Sequence, residues 1–246
     1  GDELFVREYY KSVRDLLETV YVREFDKIQT AGRMLAEVME QDGLIHVFGC
    51  GHSHMIAEEM FYRAGGLVAI DPIFEESTML HDGAYKSSQI ERMSGYAPKV
   101  LERYPLEKGD VLIISSSSGI NPFPIEMAEC ARKKGVKVIG ITSGNYKDKP
   151  SRDRRGLHLE DVCDLYIDNY VPHGDAVVEI EDGGVKAGPV SSIAAFFIAN
   201  SMTLAACEHM RARGEQPPVY KSGNVDGGDG YNEDIVKKYI CRIKHL

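Results

Sequence analysis

The chain has 246 residues, of which 43% are hydrophobic and 27% charged. That is enough apolar side chain for one sizeable core. Its formal net charge is −9 and its pI about 5.4, a balance that argues against general binding of nucleic acids or anionic membranes. It does not exclude a small anionic ligand, because backbone N–H groups and hydroxyls can hold one phosphate whatever the net charge.

The cysteines indicate a reducing compartment. There are five, widely spaced and without a Cys-x-x-Cys pair, so they are typical of reduced thiols rather than of a disulfide framework. No apolar run reaches about 18 residues and no secretory signal is evident, so neither a transmembrane helix nor export is expected. These features predict a cytoplasmic protein.

The first predicted element is helical. Apolar residues recur at helical spacing across residues 2–41, with charged residues between them, which predicts one or two amphipathic helices. Such a segment can cover its own domain or pack on a partner subunit, and both interpretations stay open. We divide the chain into these N-terminal helices (2–41), a main domain (42–213) and an irregular C-terminal tail with a short helix (214–246).

From residue 43 onward, short apolar runs alternate with longer helical ones. Strands are predicted at 44–48, 67–70, 111–114, 136–141 and 165–168, and helices at 53–63, 121–134 and 190–212. Buried strands that alternate with helices predict an α/β fold: a doubly wound three-layer sandwich around a five-stranded parallel sheet. Residues 71–95 and 214–232 show little periodicity and are predicted to be irregular.

Two polar turns follow predicted strands. The first is Gly-Cys-Gly-His-Ser at 49–53, and the second is Ser-Ser-Ser-Ser-Gly at 115–119. Glycines allow a tight turn and a close approach to a ligand, and hydroxyls can bind phosphate oxygens. Either turn alone is compatible with ordinary connection and capping chemistry, but one helix cap explains one serine, not four. Neither turn matches a P-loop or a dinucleotide fingerprint, so no nucleotide cofactor is predicted.

These two turns together resemble the SIS (sugar isomerase) family of phosphosugar isomerases and phosphosugar-binding regulators. The resemblance implies a flavodoxin-like doubly wound fold and a sugar phosphate as ligand. Carried over by position, it implies that the first turn binds phosphate through Gly51 and Ser53. In the second turn it implicates Ser116, Ser117 and Ser118, with Asn121 where many members have threonine.

The resemblance also bears on assembly and subgroup. The helices of residues 2–41 match an N-terminal addition that helps members of the family form dimers, so a homodimer or homotetramer is expected. The motifs within 71–96 and 224–228 look like those of a bacterial subgroup. That likeness implies the fold and the ligand class but not the reaction.

The chemistry of isomerisation requires a base that moves a proton between C1 and C2 and a second group that protonates oxygen. Our candidates are Glu75, which follows the second predicted strand as in several relatives, and then Glu76, His52 and His81. Secondary candidates for the pocket are His54, His173, Ser191 and Ser192. Each of these has a simpler interpretation as a solvated loop residue or, for the serines, as a helix cap. No metal-ligand spacing is present, so no metal is predicted.

We therefore expect a phosphosugar-binding protein that is an aldose–ketose isomerase acting on a sugar phosphate or an amino-sugar phosphate. A non-catalytic phosphosugar-binding module is one alternative, and a lyase similar to N-acetylmuramic acid 6-phosphate etherase is another. No basic helix-turn-helix segment is evident, which favours a stand-alone enzyme over a regulator.

Overall fold

The computed structural model describes residues 4–246. The α-helices are α1 (Leu4–Glu40), α2 (Met55–Met60), α3 (Ala84–Glu91), α4 (Ala97–Leu101), α5 (Pro122–Lys133), α6 (Ser191–Ala212) and α7 (Gly228–Val236). The strands are β1 (Ile45–Gly49), β2 (Ile70–Pro72), β3 (Val111–Ser115), β4 (Lys137–Thr142), β5 (Leu165–Asp168), β6 (Ala176–Glu179) and β7 (Lys186–Pro189).

The main sheet confirms the predicted fold class. Its five strands lie in the order β2-β1-β3-β4-β5, and all neighbouring pairs are parallel. This 2-1-3-4-5 order is that of the flavodoxin-like doubly wound sheet, in which the chain reverses direction across the sheet between β1 and β3. Ligands of such sheets bind outside the carboxyl ends of the strands at that reversal. Gly49 and Ser115, which end β1 and β3, are register partners.

Two hydrophobic layers cover the sheet. Alternate residues of each central strand point to opposite faces, so Val47 and Ile113 pack with α1, α2 and α6 while Phe48 and Ile114 pack with α4 and α5. The strands are buried on both faces, which is why their sequences are apolar without alternation. The C-terminal tail joins the first layer through Tyr220, Tyr239 and Ile243.

The N-terminal segment is one continuous helix of 37 residues. It packs against α6 at Gly32, where an added Cβ would lie 2.3 Å from the Cβ of Ala205. The glycine that interrupts the helical pattern therefore lies where the two helices approach each other too closely for a side chain. Helix α6 is long and apolar enough by length and composition to cross a membrane, with a mean hydropathy of 1.2. Its packing against α1 and α2 instead makes it a core helix of the α/β domain.

The second predicted strand was placed too early. Residues 67–70 are apolar, but Leu67 forms an isolated antiparallel bridge with Val219, and the Val68 N–H donates to the carbonyl of Pro218. The strand that pairs with β1 begins at Ile70 and ends at Pro72. The C-terminal tail thus hydrogen-bonds to the backbone of residues 67–68. The local composition of these residues does not reveal this long-range pairing.

Three other predictions of local structure were wrong. The helix predicted at 53–63 is a 3₁₀ turn, Gly51–His54, followed by the short α2. The region predicted as irregular at 71–95 contains α3, and α7 begins four residues before the expected position near residue 232. The antiparallel hairpin of β6 and β7 was not predicted, because its glycines and charges resemble those of a loop.

A charged cluster is buried within the amino-terminal half of the sheet. His46 of β1 is fully buried, with Nδ1 2.6 Å from Asp71 Oδ2 and Nε2 2.8 Å from Asp110 Oδ2. A cationic imidazole, in which both ring nitrogens carry protons, can donate to both carboxylates at once. Burial alone lowers the pKa of His46, but its hydrogen bonds to Asp110 and Asp71 outweigh burial and raise the pKa above its usual value. Burial likewise raises the pKa of Asp110, but the bonds from His46 and from backbone N–H groups leave it lowered.

Gly32→Ala should destabilise the fold by about 1–3 kcal/mol, because the new methyl group forces α1 away from α6. Gly230→Ala is the matched control: this glycine lies in α7 with no atom within 4 Å of the added Cβ, so the change should be neutral or stabilise by up to about 1 kcal/mol. Urea unfolding of both variants measures the difference. Equal stabilities would contradict the close helix approach.

His46→Asn should lower the free energy of unfolding by about 3–5 kcal/mol near pH 6, because it leaves buried carboxylates without their cationic partner. Because the pKa of His46 is raised in the folded protein, its contribution to stability is fully present at pH values below 6.5, the unfolded value. This contribution is lost as the pH rises through the pKa of the folded state. The penalty of the variant should therefore shrink between pH 6 and pH 9 in urea titrations. The exposed His81→Asn serves as control and should show neither the penalty nor the trend.

Candidate functional site: a crevice lined by serines

A small crevice lies at the carboxyl ends of β1 and β3, where the start of α6 meets them. Its walls are formed by the following residues: His52, Ser53, Ile56, Ser115, Ser117, Ser191, Ser192, Ala195 and Phe196. Five of these nine residues are serines, drawn from three separate segments of the chain. The cavity volume is only about 10 Å³, room for roughly one water-sized group. The crevice therefore suits the tip of a polar group rather than a whole sugar.

The first turn presents Ser53 and His52. Gly51 has a φ of +57°, a left-handed conformation that glycine adopts without strain. The Nδ1 atom of His54 hydrogen-bonds to the Gly51 carbonyl, and its Nε2 atom lies 3.4 Å from Glu58. His54, predicted for the pocket, is thus buried and holds the turn together. Ser53 lies inside the 3₁₀ turn rather than capping a helix, and it lines the crevice together with the exposed His52.

In the serine turn, neighbouring hydroxyls have different roles. The buried Ser116 hydroxyl accepts from the Gly119 N–H at 3.2 Å, which stabilises the turn itself. Ser117 faces the crevice, and its Oγ accepts a hydrogen bond of 3.1 Å from the side-chain amide of the fully buried Asn169. Because that bond occupies an acceptor site, the Ser117 hydroxyl proton remains available for a ligand. Ser118 is half-buried and does not line the crevice.

Asn121 lies apart from the crevice. It is buried at the first position of the turn into α5, and its carbonyl oxygen accepts from Arg152 Nη1 at 2.8 Å. Its amide bonds the carboxyl of Glu91. Burial raises the pKa of Glu91, while Asn121 and the guanidiniums of Arg152 and Arg92 partly offset that rise. The position expected to contact phosphate is therefore engaged with a second polar cluster.

The start of α6 is held by Asp175. One oxygen of its carboxylate accepts from the N–H groups of Val190 and Ser191, at 2.9 and 2.8 Å, and the other accepts from the Ser191 hydroxyl at 2.7 Å. These bonds satisfy backbone donors that a helix start leaves open. Both serines predicted for the pocket lie in its wall, but the Ser191 proton is committed to Asp175.

Glu75, the first candidate base, is buried and fully engaged. Its carboxylate accepts from the Ser77 hydroxyl at 2.9 Å and the Tyr96 hydroxyl at 3.2 Å, and it forms an ion pair with Arg103. Glu75 does not line the serine crevice.

The remaining candidates lie on the surface. Glu76 and His81 are exposed. His173 is also exposed, and its ring centroid lies 4.9 Å from that of Tyr146. The crevice thus brings together His52, Ser53, Ser117, Ser191 and Ser192, and leaves the other candidates outside its walls.

Three residues of this region were missed from the sequence: Asn169, Asp175 and Glu91. Asn169 had a detectable signal, because it follows the end of a predicted strand, where polar residues of α/β sheets meet. Glu91 lies in the segment 71–95 that is predicted to be irregular, and Asp175 lies between the fifth predicted strand and the helix at 190–212; neither gave such a signal. Within residues 4–246, no group of three His, Cys, Asp or Glu side chains is placed to hold a metal ion.

Comparisons with known proteins decide the family. Residues 8–143 match the family model described as SIS domain. The UPF0309 protein of Halalkalibacterium halodurans is 42% identical over 242 residues, which cover 98% of this chain and 97% of that protein. The chain belongs to the SIS domain family. Within that family, its serine crevice lies at the β1–β3 reversal of the fold, as the two motifs predicted.

Solved structures of low identity show the same fold. A phosphoheptose isomerase from Francisella tularensis matches this SIS domain protein with a TM-score of 0.58 and 17% identity, covering 85% of this chain and 99% of the other. The Vibrio vulnificus NanR protein, complexed with ManNAc-6P, matches with a TM-score of 0.50 and 16% identity, covering 87% and 65%. Both therefore confirm the architecture of the three-layer sandwich.

Proposed function

We propose that this SIS domain protein binds a sugar phosphate or an amino-sugar phosphate, with the phosphate at the serine crevice. One observation carries the proposal: serines from three distant segments converge where the fold reverses between β1 and β3. A single serine in a turn is explained by capping, but this convergence is not. The names of a phosphoheptose isomerase and of a NanR protein complexed with ManNAc-6P, among the structural matches, support the ligand class.

The proposed pose follows from the size of the crevice. Since it has room for only one small group, it takes phosphate oxygens, and the sugar extends outward past its mouth. Ser53 and Ser117 then donate to the phosphate, and Asn169 positions the Ser117 hydroxyl by occupying one of its acceptor sites. Hydrogen bonds to a charged group of this kind contribute about 1.5–3 kcal/mol each.

The proposed reaction is aldose–ketose isomerisation. A base removes the proton from the carbon beside the carbonyl, and the same proton is delivered to the former carbonyl carbon, while a proton moves between the two oxygens. His52 is our first choice for this acid/base group, because it is exposed at the wall of the crevice beside Ser53. Glu75 becomes the second choice, since it would have to leave its ion pair with Arg103.

A phosphosugar-binding module without catalysis is the second candidate. The observation that favours it is the full engagement of Glu75 by Arg103, Tyr96 and Ser77. A carboxylate held by a guanidinium and two hydroxyls must give up these bonds before it can remove a proton from a substrate. The etherase-like lyase has no contact in the structure that favours it over these two.

Ser117→Ala should weaken the binding of the sugar phosphate that the wild-type protein binds by about tenfold or more, because the change deletes a hydrogen bond to the phosphate. His52→Ala should keep binding within about threefold but abolish isomerisation. A panel of sugar phosphates screened by thermal shift identifies the ligand, calorimetry measures binding, and NMR follows turnover. Ser151→Ala, a serine whose hydroxyl bonds to the carbonyls of Ile120 and Leu157, is the control for serine removal outside the crevice.

The outcomes separate the candidates. Unchanged affinity of Ser117→Ala would refute phosphate binding at the crevice. Binding that depends on Ser117, without turnover of any sugar phosphate by the wild-type protein, would favour the binding module.

We also propose that the protein is a cytoplasmic homodimer, or a homotetramer built from that dimer. Helix α1 exposes a series of large apolar side chains, among them Phe5, Tyr21, Val22 and Phe25. Apolar surface of this extent on one helix is typical of an interface between subunits. All five cysteines are free thiols, which suits a reducing compartment.

The double variant Val22→Asp, Phe25→Asp should be monomeric, because it places charges on the proposed interface. Light scattering after size exclusion should give about 55 kDa for a wild-type dimer, twice the chain mass of 27.4 kDa, or about twice that value for the tetramer, and the mass of a single chain for the variant. Val185→Asp, an exposed apolar residue of the β6–β7 hairpin, is the matched control and should remain dimeric. A monomeric wild type would contradict the proposal.

A further inference from the structure

A second cleft, much larger than the serine crevice, opens beside the start of α5. Its cavity volume is about 520 Å³, within the range of small-molecule sites. It is bounded by the turn before α4, one side of α5 and the loop at 152–155. It shares no wall residue with the serine crevice, so the two are separate sites on one chain.

The acidic side chains that line this cleft have partners, whereas most of its cations form no ion pair in the part of the chain that the structure describes. Its three acidic side chains are already engaged: Arg155 forms ion pairs with Glu129 and Asp153, and Glu126 accepts from the Ser94 hydroxyl and the Gly95 N–H. The other four cations of the cleft form no ion pair with any residue of 4–246. They are Arg92, Lys133, Arg152 and Arg154.

The lining holds five cations and three carboxylates, a local excess of two positive charges in a chain whose net charge is −9. Four cations around one cavity repel one another, an arrangement that a bound anion relieves. Arg152 is also held in place, because its Nη1 atom donates to the buried Asn121 at 2.8 Å. Guanidinium groups bind phosphate oxygens through paired N–H donors. This geometry favours phosphate over neutral ligands.

We propose that this cleft is a second binding site, for a small molecule that carries a diphosphate group. The four cations together offer more N–H donors than the oxygens of one phosphate can accept, whereas a diphosphate presents a second set of oxygens to them. The volume leaves room for a further group attached to the diphosphate, as in the nucleoside diphosphate class. The proposal does not depend on the function of the serine crevice, because none of the residues that carry it lines that crevice.

The test uses pyrophosphate as probe, with inorganic phosphate as the comparison that has only one phosphate group, in calorimetric titrations of the full chain. Wild type should bind pyrophosphate more tightly than phosphate. The double variant Arg92→Gln, Arg154→Gln should weaken pyrophosphate binding by about tenfold or more, because it removes two charged donors. Both residues are exposed, and thermal unfolding without ligand confirms that the fold is kept. Arg154→Gln alone provides a milder change if the double variant is unstable.

Two controls test whether the loss of pyrophosphate affinity comes from this cleft. Arg7→Gln, Arg211→Gln removes the same charge from exposed positions on α1 and α6 and should leave affinity within about twofold. Ser117→Ala should also leave it within twofold. No pyrophosphate binding by the wild type, or equal binding by the Arg92→Gln, Arg154→Gln variant, would overturn the proposal. Loss of pyrophosphate binding in Ser117→Ala alone would place the anion in the serine crevice and also overturn it, while leaving the proposed function intact.

Discussion

The parallel pairing of β1 with β3 is the constraint on which the candidate site depends. Two strands that are far apart in sequence lie side by side in register, so that Gly49 and Ser115 end at the same edge. The turns that follow must then emerge next to each other. The strands that flank this pair extend the sheet in opposite directions, which leaves an opening above it. Ser53 and Ser117 both line that opening.

Polar groups that are themselves buried keep this arrangement in place. His46 and its two carboxylate partners connect β1, β2 and the start of β3 at the amino half of the sheet. At the carboxyl half, Asn169 bonds Ser117, and Asp175 bonds the start of α6. Buried groups of this kind destabilise a fold if they lose a partner. They therefore favour one arrangement of the strand ends and penalise alternatives, which suits a site that must hold several hydroxyls in fixed positions.

The distribution of charge separates the two sites of the molecule. The serine crevice is lined by five serines, one histidine and three apolar side chains, so its polar groups are mainly neutral hydroxyls. The cleft beside α5 is lined by arginines and a lysine whose acidic neighbours are engaged elsewhere. Asn121 lies between these regions, at the start of α5 and bonded to Arg152. One helix thus connects the turn that carries Ser117 to the cationic cleft.

The sequence by itself determined the layers of the fold, because strands buried on both faces must be apolar and helices that cover them must be amphipathic. It also determined the two polar turns and their common edge of the sheet, since both turns follow strands of one parallel sheet. Only the tertiary structure decided which members of those turns face a ligand. Ser116 and Ser117 are neighbours with the same side chain, yet one stabilises the turn and the other lines the crevice. That choice depends on Asn169, which lies 52 residues away from Ser117 along the chain. The same is true of Glu75, whose role as a base or as an ion-pair partner is set by Arg103. Such assignments follow from contacts between distant segments, and no local pattern of residue types encodes them.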